Sequence, residues 1–251
     1  MSRRPTHFRA DGVGEFSGFT TRQGFPGFTG ESKAPFDSFN LGAGLADAPE
    51  AVLANRSELA RQVGVHQDKL FFMDQVHGSD IAEVVLSGAV SVPQADAMVS
   101  AAMGLGLAVL VADCVPILMA DRVAKVIGVA HAGRKGAAAG IAPALVSRMV
   151  ELGATVSKVK VAVGPAICGR CYEVPLLMQL EVESLLPGSA CSTLGGTPGL
   201  DLRAGVVRAL ITVGVAARNI IVDPRCTRAD GDLFSYRRSV HTGRFAGVIT
   251  Q

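Results

Sequence analysis

The sequence predicts a single domain of mixed α/β class, α+β in character, with a mixed sheet at its core and helices flanking it. Three observations carry this. Strand-length apolar runs alternate irregularly with helical patterns, several neighbouring runs read as hairpin pairs, and no repeat, low-complexity tract or linker divides the 251 residues. A doubly wound parallel sheet would need a regular β-then-α rhythm, which the chain does not have.

The elements follow in order. Residues 1–15 read as an N-terminal extension; the opening MSRRPTHFRADG is basic but has no apolar segment behind it, so it is not a secretory signal. Residues 16–21 form an opening strand. A long loop follows, and its phenylalanines (Phe25, Phe28, Phe36, Phe39) favour packing over disorder; Arg22 and Asn40 are its polar candidates for substrate contact. Asp47 offers an N-cap to a helix that carries Pro49 and Glu50 in its first turn and stops at Gly64. Val52, Leu53, Leu59, Ala60 and Val63 give that helix one apolar face.

Residues 70–76 and 81–86 read as strands around the turn His77-Gly78-Ser79-Asp80, and ADAMVS (95–100) as a short strand. Residues 107–112 and 125–130 are the two strongest buried strands. The first runs into Asp113-Cys114 and the second into His131-Ala132-Gly133. A hairpin centred on Arg122-Val123 would set Cys114 opposite His131, with Cβ atoms about 4.5–5.5 Å apart. That turn lacks Asn-Gly chemistry, and Pro116 suits a central strand poorly. Glycine-containing residues 133–136 then lead into a helix ending at Gly153, a strand end followed by a helix N-terminus being a natural anion site. Residues 158–163 are a strand, 174–186 a helix and 187–199 a loop. Asp201 caps the next helix, and residues 219–222 and 244–249 supply late strands.

Composition narrows the function. The hydrophobic content of 49% supports a well-filled core, and no apolar stretch reaches the roughly 18 residues a membrane span needs. A net charge of +2 gives no argument for nucleic acid. Arginine outnumbers lysine 18 to 6. Guanidinium forks suit phosphate or carboxylate, although codon usage is the better account of most of them. Five cysteines with no signal segment point to a reducing, cytoplasmic setting. Five histidines cannot supply a multicopper centre, which needs on the order of ten imidazoles.

Three side chains at strand ends stand out: His77, Cys114 and His131. Two imidazoles and a thiolate suit Zn²⁺, and three protein ligands leave a fourth position open for catalysis. The same residues would serve a metal-free Cys–His nucleophile pair, or be a buried thiol and satisfied histidines. Asp113 could orient a histidine, act as a base or merely cap the strand. Cys168-Gly-Arg-Cys171 has CxxC spacing, but no second pair follows it, so incidental thiols are the plainer reading. Arg225, Arg228, Arg237 and Arg238 gather near Phe234 and Tyr236, a composition that binds phosphate and stacks on a base, or forms a solvated loop.

QVHG (75–78), ADAMVS (95–100), VADCVPILMAD (111–121), HAG (131–133), GPAI (164–167), CT (226–227), FSYRR (234–238) and TGR (242–244) occur in this order. Together they resemble the bacterial family once called multicopper polyphenol oxidase, or laccase-domain proteins, now associated with purine nucleoside phosphorylase activity and peptidoglycan editing. The resemblance spans about residues 20–249 and includes Thr20–Arg22 and Asn40-Leu41-Gly42. It implies a layered, sandwich-like core and zinc held by His77, Cys114 and His131. It further implies phosphorolysis of adenosine, inosine or methylthioadenosine, with adenosine deamination alongside; the partners are then a purine nucleoside and phosphate. One departure is plain: the family continues His-Ala-Gly with Trp-Arg-Gly, where this chain has Arg134 and Lys135.

Overall fold

In the computed structural model, which describes residues 7–9, 13–86 and 93–251, the chain forms two packed sheets with helical layers outside them. The elements are β1 (His7–Arg9), β2 (Phe16–Thr20), α1 (Pro49–Gln62), β3 (Leu70–Phe71), β4 (Ile81–Glu83), β5 (Ala97–Ser100), β6 (Gly106–Val111), β7 (Val115–Asp121) and β8 (Val126–Ala132). They continue with α2 (Arg134–Ala138), α3 (Ile141–Glu151), β9 (Lys160–Val163), α4 (Leu176–Leu185), β10 (Ala190–Ser192), β11 (Pro198–Leu200), α5 (Leu202–Thr212), β12 (Ile220–Val222) and β13 (Phe245–Thr250). One sheet has the order β1-β2-β13-β6-β3 and the other β12-β9-β7-β8-β5-β4, with β10–β11 a separate hairpin. Both large sheets mix parallel and antiparallel pairs, in keeping with the mixed class expected. Among the described residues no helix is long and apolar enough to cross a membrane.

The apolar runs have a simple origin: these strands are buried on both faces, so they need no polar alternation. In β6, Leu107, Val109 and Val111 face the inter-sheet core with Phe19, Leu118, Ile127, Val129 and Phe245. Ala108 turns the other way, toward Leu59, Ala60 and Val63 on and just beyond α1. In β7 and β8, Ile117, Met119 and Ala130 face outward onto Ile141, Leu145 and Met149 of α3 and Val206 and Leu210 of α5. The order of layers is therefore helix, sheet, sheet, helices.

Several expectations need correcting. The run at residues 107–112 is not a partner of β8; it lies in the other sheet, and the chain passes between sheets at Ala112–Cys114. The hairpin is β7–β8, and it pairs Pro116, not Cys114, with His131. The turn is two residues longer than the centring on Arg122-Val123 assumed, because Asp121 pairs with Val126. Asp121 Oδ1 accepts from Val123 and Ala124 N–H, and Lys125 takes a left-handed φ of 55°. That side-chain-built turn replaces Asn-Gly chemistry. Pro116 is tolerated because it lies at the start of β7, before the β9 ladder begins at Ile117.

Residues 137–153 are not one helix: Gly140, at φ 80°, separates α2 from α3. Within residues 187–199 the structure forms β10 and begins β11. Ala48, not Asp47, is the N-cap of α1; Asp47 instead bonds Ala48 N and Asn40 Nδ2. Asp201 does cap its helix, accepting from Ala204 N at 3.1 Å. The strand expected over 81–86 is short, and residues 87–92 lie outside the described residues. In the N-terminal extension, β1 pairs antiparallel with β2, so that part adds an edge strand to the sheet; residues 1–6 and 10–12 lie outside the described residues.

Candidate active site and metal centre

The site opens where the two sheets and their connections meet. His77 leaves the strand region in a left-handed conformation (φ 61°), an uncommon state for a residue with a Cβ. What holds it is Asp96, a fully buried residue just before β5. Its carboxylate accepts from three successive backbone N–H groups: Val76 at 3.2 Å, His77 at 3.0 Å and Gly78 at 2.6 Å. The same carboxylate meets His131 Nδ1 at 2.7 Å. Nδ1 then carries the proton, and the lone pair of Nε2 is left for a ligand.

Cys114 arrives from the other direction. Asp113, at φ 96°, turns the chain so that Cys114 reaches the histidines although it pairs with neither. Its Sγ lies 4.0 Å from His77 Nε2, and one donor atom from each of His77, Cys114 and His131 falls within 4.8 Å of the others. The two imidazoles meet edge to face with centroids 4.8 Å apart. Glycines allow the convergence. A Cβ on Gly133 would stand 2.9 Å from His77 Cδ2, and one on Gly136 would stand 2.5 Å from Gly78 O.

Electrostatics bind the three together. Burial opposes ionisation of Cys114, but hydrogen bonds and charge from His131 and His77 outweigh it, bringing the thiol down to about 6. Burial opposes protonation of His131, yet Asp96 and Cys114 raise it to about 9. Burial likewise works against the charge on Asp96, but His131 and the backbone N–H groups of Gly78 and Val76 hold it below the usual carboxylate range. The donor set fits a borderline-soft divalent cation such as zinc: one ionisable thiol, two imidazoles, one of them braced by a carboxylate, and an unfilled side toward solvent.

That side is a cavity of about 960 Å³. Its walls carry Arg56, Arg134, Arg237 and Arg244, with Phe72, Tyr172 and Tyr236 among them. Among the described residues none of these four guanidinium groups is ion-paired with a carboxylate. Carbonyls and rings hold three of them. Arg56 lies 3.9 Å over the Phe72 ring and donates to Leu41 O. Arg237 lies 4.8 Å over Tyr172 and donates to Glu173 O, and Arg244 donates to Thr242 and Gly243 carbonyls. Burial lowers Arg56 to about 10 and pulls Arg244 below its ordinary value.

Not every expected residue faces the cavity. Arg134 and Arg237 do; Lys135 is exposed and outside its lining. Arg22 is also outside it, with Nε on Asp37 O and Nη2 on Asp37 Oδ2, both at 2.8 Å, and its guanidinium over Phe234. Asn40 is fully buried and organises the wall from behind: Oδ1 accepts from Gly42 and Arg244 N–H, and Nδ2 donates to Asp47. Asp113 is not free to act as a base. Its two oxygens accept from the Thr227 hydroxyl at 2.5 Å and from Arg237 N at 2.7 Å, so it positions the segment that carries Arg237.

Sequence reasoning missed Asp96, Arg56, Arg244 and Tyr172. For Asp96 one signal was available: a lone carboxylate entering a wholly apolar strand must be buried, and a buried carboxylate needs donors.

A sequence model of the family described as multi-copper polyphenol oxidoreductase laccase matches residues 16–251. A Streptomyces coelicolor protein named purine nucleoside phosphorylase SCO2081 is 47% identical over 237 residues, covering 94% of this chain and 95% of that one. Two solved structures share the fold. The Bacillus licheniformis hypothetical protein YfiH has a TM-score of 0.88 at 28% identity, covering 100% of this chain and 98% of its own. YlmD of Geobacillus stearothermophilus has a TM-score of 0.85 at 33% identity, covering 94% and 91%. With the ordered motifs, the two-sheet core and a match over nearly its whole length, this chain belongs to the multi-copper polyphenol oxidoreductase laccase family.

Proposed function

We propose that the protein is a zinc-dependent purine nucleoside phosphorylase that also deaminates adenosine, working in the cytoplasm on adenosine, inosine or methylthioadenosine. The observation that carries the reading is the cavity itself: four arginines without carboxylate partners beside a His–Cys–His donor set, interleaved with aromatic rings. Arg56, Arg134 and Arg244 are half-buried and Arg237 is exposed at the cavity. Guanidinium groups without a carboxylate partner make strong charge-assisted hydrogen bonds to an anion, and inorganic phosphate is such an anion. Rings at Tyr172, Tyr236 and Phe72 offer stacking surface to a purine. The names carried by relatives such as the Streptomyces protein support the same substrate class. The histidine count, five in the whole chain, speaks against a multicopper oxidase despite the family's description.

In this reading a phosphate oxygen bonds to C1′ of the ribose while the C1′–N9 bond breaks. The purine leaves with that electron pair and is protonated on a ring nitrogen. Arg134, Arg237, Arg244 and Arg56 bind the phosphate and offset its charge as the ribosyl carbon becomes cationic. Asp113 and Asn40 fix Arg237 and Arg244 through their backbones, which makes both positioning residues. His77, Cys114 and His131 would hold zinc, which supplies Lewis acidity and activates water, the chemistry that hydrolytic deamination requires.

The test is to incubate purified protein with adenosine, with and without phosphate, and identify the products. Adenine and ribose 1-phosphate are expected to depend on phosphate, and inosine is not. Turnover of a peptidoglycan precursor with no turnover of any purine nucleoside would overturn the reading in favour of a Cys114–histidine hydrolase.

A second expected result concerns the departure from the family's Trp-Arg pair. Arg134 opens α2 and lines the cavity one turn from His131. Arg134→Ala is expected to raise KM for phosphate several-fold with zinc content unchanged, measured by steady-state kinetics and metal analysis. Unaltered kinetics would make this position plain surface.

A further inference from the structure

The CxxC turn that looked incidental in the sequence is not alone in the fold. Cys168 and Cys171 lie in a tight turn beyond β9, in which Cys168 O accepts from Cys171 N at 2.9 Å and Tyr172 N at 3.0 Å. A third thiol arrives from far along the chain. Ala166 and Cys226 form a parallel bridge, Thr227 N donates to Ala166 O at 3.2 Å, and Cys168 N donates to Cys226 Sγ at 3.4 Å. The result is three sulfur atoms within 4.8 Å of one another, and these thiols are separate from the His77–Cys114–His131 donors.

We propose that Cys168, Cys171 and Cys226 form a second metal site, an all-thiolate one that takes a soft d¹⁰ cation, Zn²⁺ or Cu(I). Thiolates select this class of ion, and a metal–sulfur bond of about 2.3 Å around one centre places sulfurs about 3.8 Å apart. The observed spacing needs only a small contraction to reach that. The cradle suits a thiolate. The Cys168 N–H donates to the Cys226 sulfur at 3.4 Å, and the Arg228 guanidinium donates to Cys171 O at 3.1 Å. A bound cation would draw the three sulfurs together and release the thiol protons.

The site's place in the fold gives it a structural role. Its turn carries Ile167 and Tyr172, which line the cavity, and the residue after Cys226, Thr227, holds Asp113. A cation would therefore staple the cavity wall that bears Tyr172 to the segment that leads to Arg237. Cys191 is close to Gly169 but outside the three-sulfur group, which makes it an internal control.

The experiment uses the full chain with the first donor set silenced by His77→Ala and Cys114→Ala, reduced, stripped with chelator and kept anaerobic. It is then titrated with Zn²⁺ in one arm and Cu(I) in the other. About one equivalent of one or both ions is expected to survive desalting, and Cys168→Ser with Cys226→Ser is expected to abolish it. Should the serine variants not fold, the unsubstituted protein decides. Metal loading is expected to slow alkylation of Cys168, Cys171 and Cys226 at least ten-fold relative to Cys191, read by peptide mass spectrometry. Failure to retain either ion, or equal alkylation of all four cysteines with and without metal, would overturn the proposal.

Discussion

Asp96→Asn is expected to weaken metal binding about 10–100-fold and to destabilise the metal-free protein, although asparagine has the same size. The reason is donor arithmetic. Oδ1 of Asp96 accepts from His77 N and His131 Nδ1, and Oδ2 accepts from Val76 N and Gly78 N. Asparagine must turn an NH₂ group toward one of these pairs, so N–H faces N–H whichever way the amide is placed. Each buried donor left unpaired costs about 1–3 kcal/mol. His131 loses the acceptor that directs Nε2 to the site, and the left-handed His77 loses the carboxylate that holds its turn. Denaturant unfolding of the metal-free protein and competition with a chromophoric chelator measure the two effects. Wild-type stability and wild-type affinity in the same variant would show that Asp96 neither braces His131 nor holds the turn.

Cys114→Ala is expected to lose most of the bound metal and with it the adenosine deamination proposed above. Cys114 is the softest of the three donors and the one whose charge offsets a cation, and the loss leaves two imidazoles with no anionic ligand. Metal analysis after exhaustive desalting gives the result directly. Zinc retained at full occupancy at the His77–His131 pair would sink the assignment of Cys114 as a ligand; zinc held at the three-thiol site is distinguished by the Cys168→Ser background. Folding is expected to survive, because Cys114 is only half-buried and stands outside both ladders. That separates this variant from Asp96→Asn, whose effect includes the fold itself.

The amino-acid sequence alone determined the elements whose causes are local. Double-faced apolar runs announced β6 and β8, the hairpin reading implied β7 between them, Asp201 announced the start of α5, and Gly64 announced the end of α1. It also determined the membership of the His77, Cys114 and His131 set, because each is a chemically distinctive residue at the end of an apolar run. Local patterns carry such information since burial and capping act within a few residues.

What only the tertiary structure decided was which distant groups meet. The hairpin register turned on a left-handed Lys125 and the Asp121 carboxylate, so Cys114 reached His131 by the bend at Asp113 rather than by cross-strand pairing. β6 reads like a partner of β8, but it pairs with β13 in the other sheet, a choice that no periodicity records. Arg56 and Arg244 come from an outer helix and a late loop to the same cavity, and Cys226 comes from 55 positions beyond Cys171 to complete a three-sulfur group. Such convergence depends on sheet order and register, which are set by the packing of whole layers and not by any short stretch of chain.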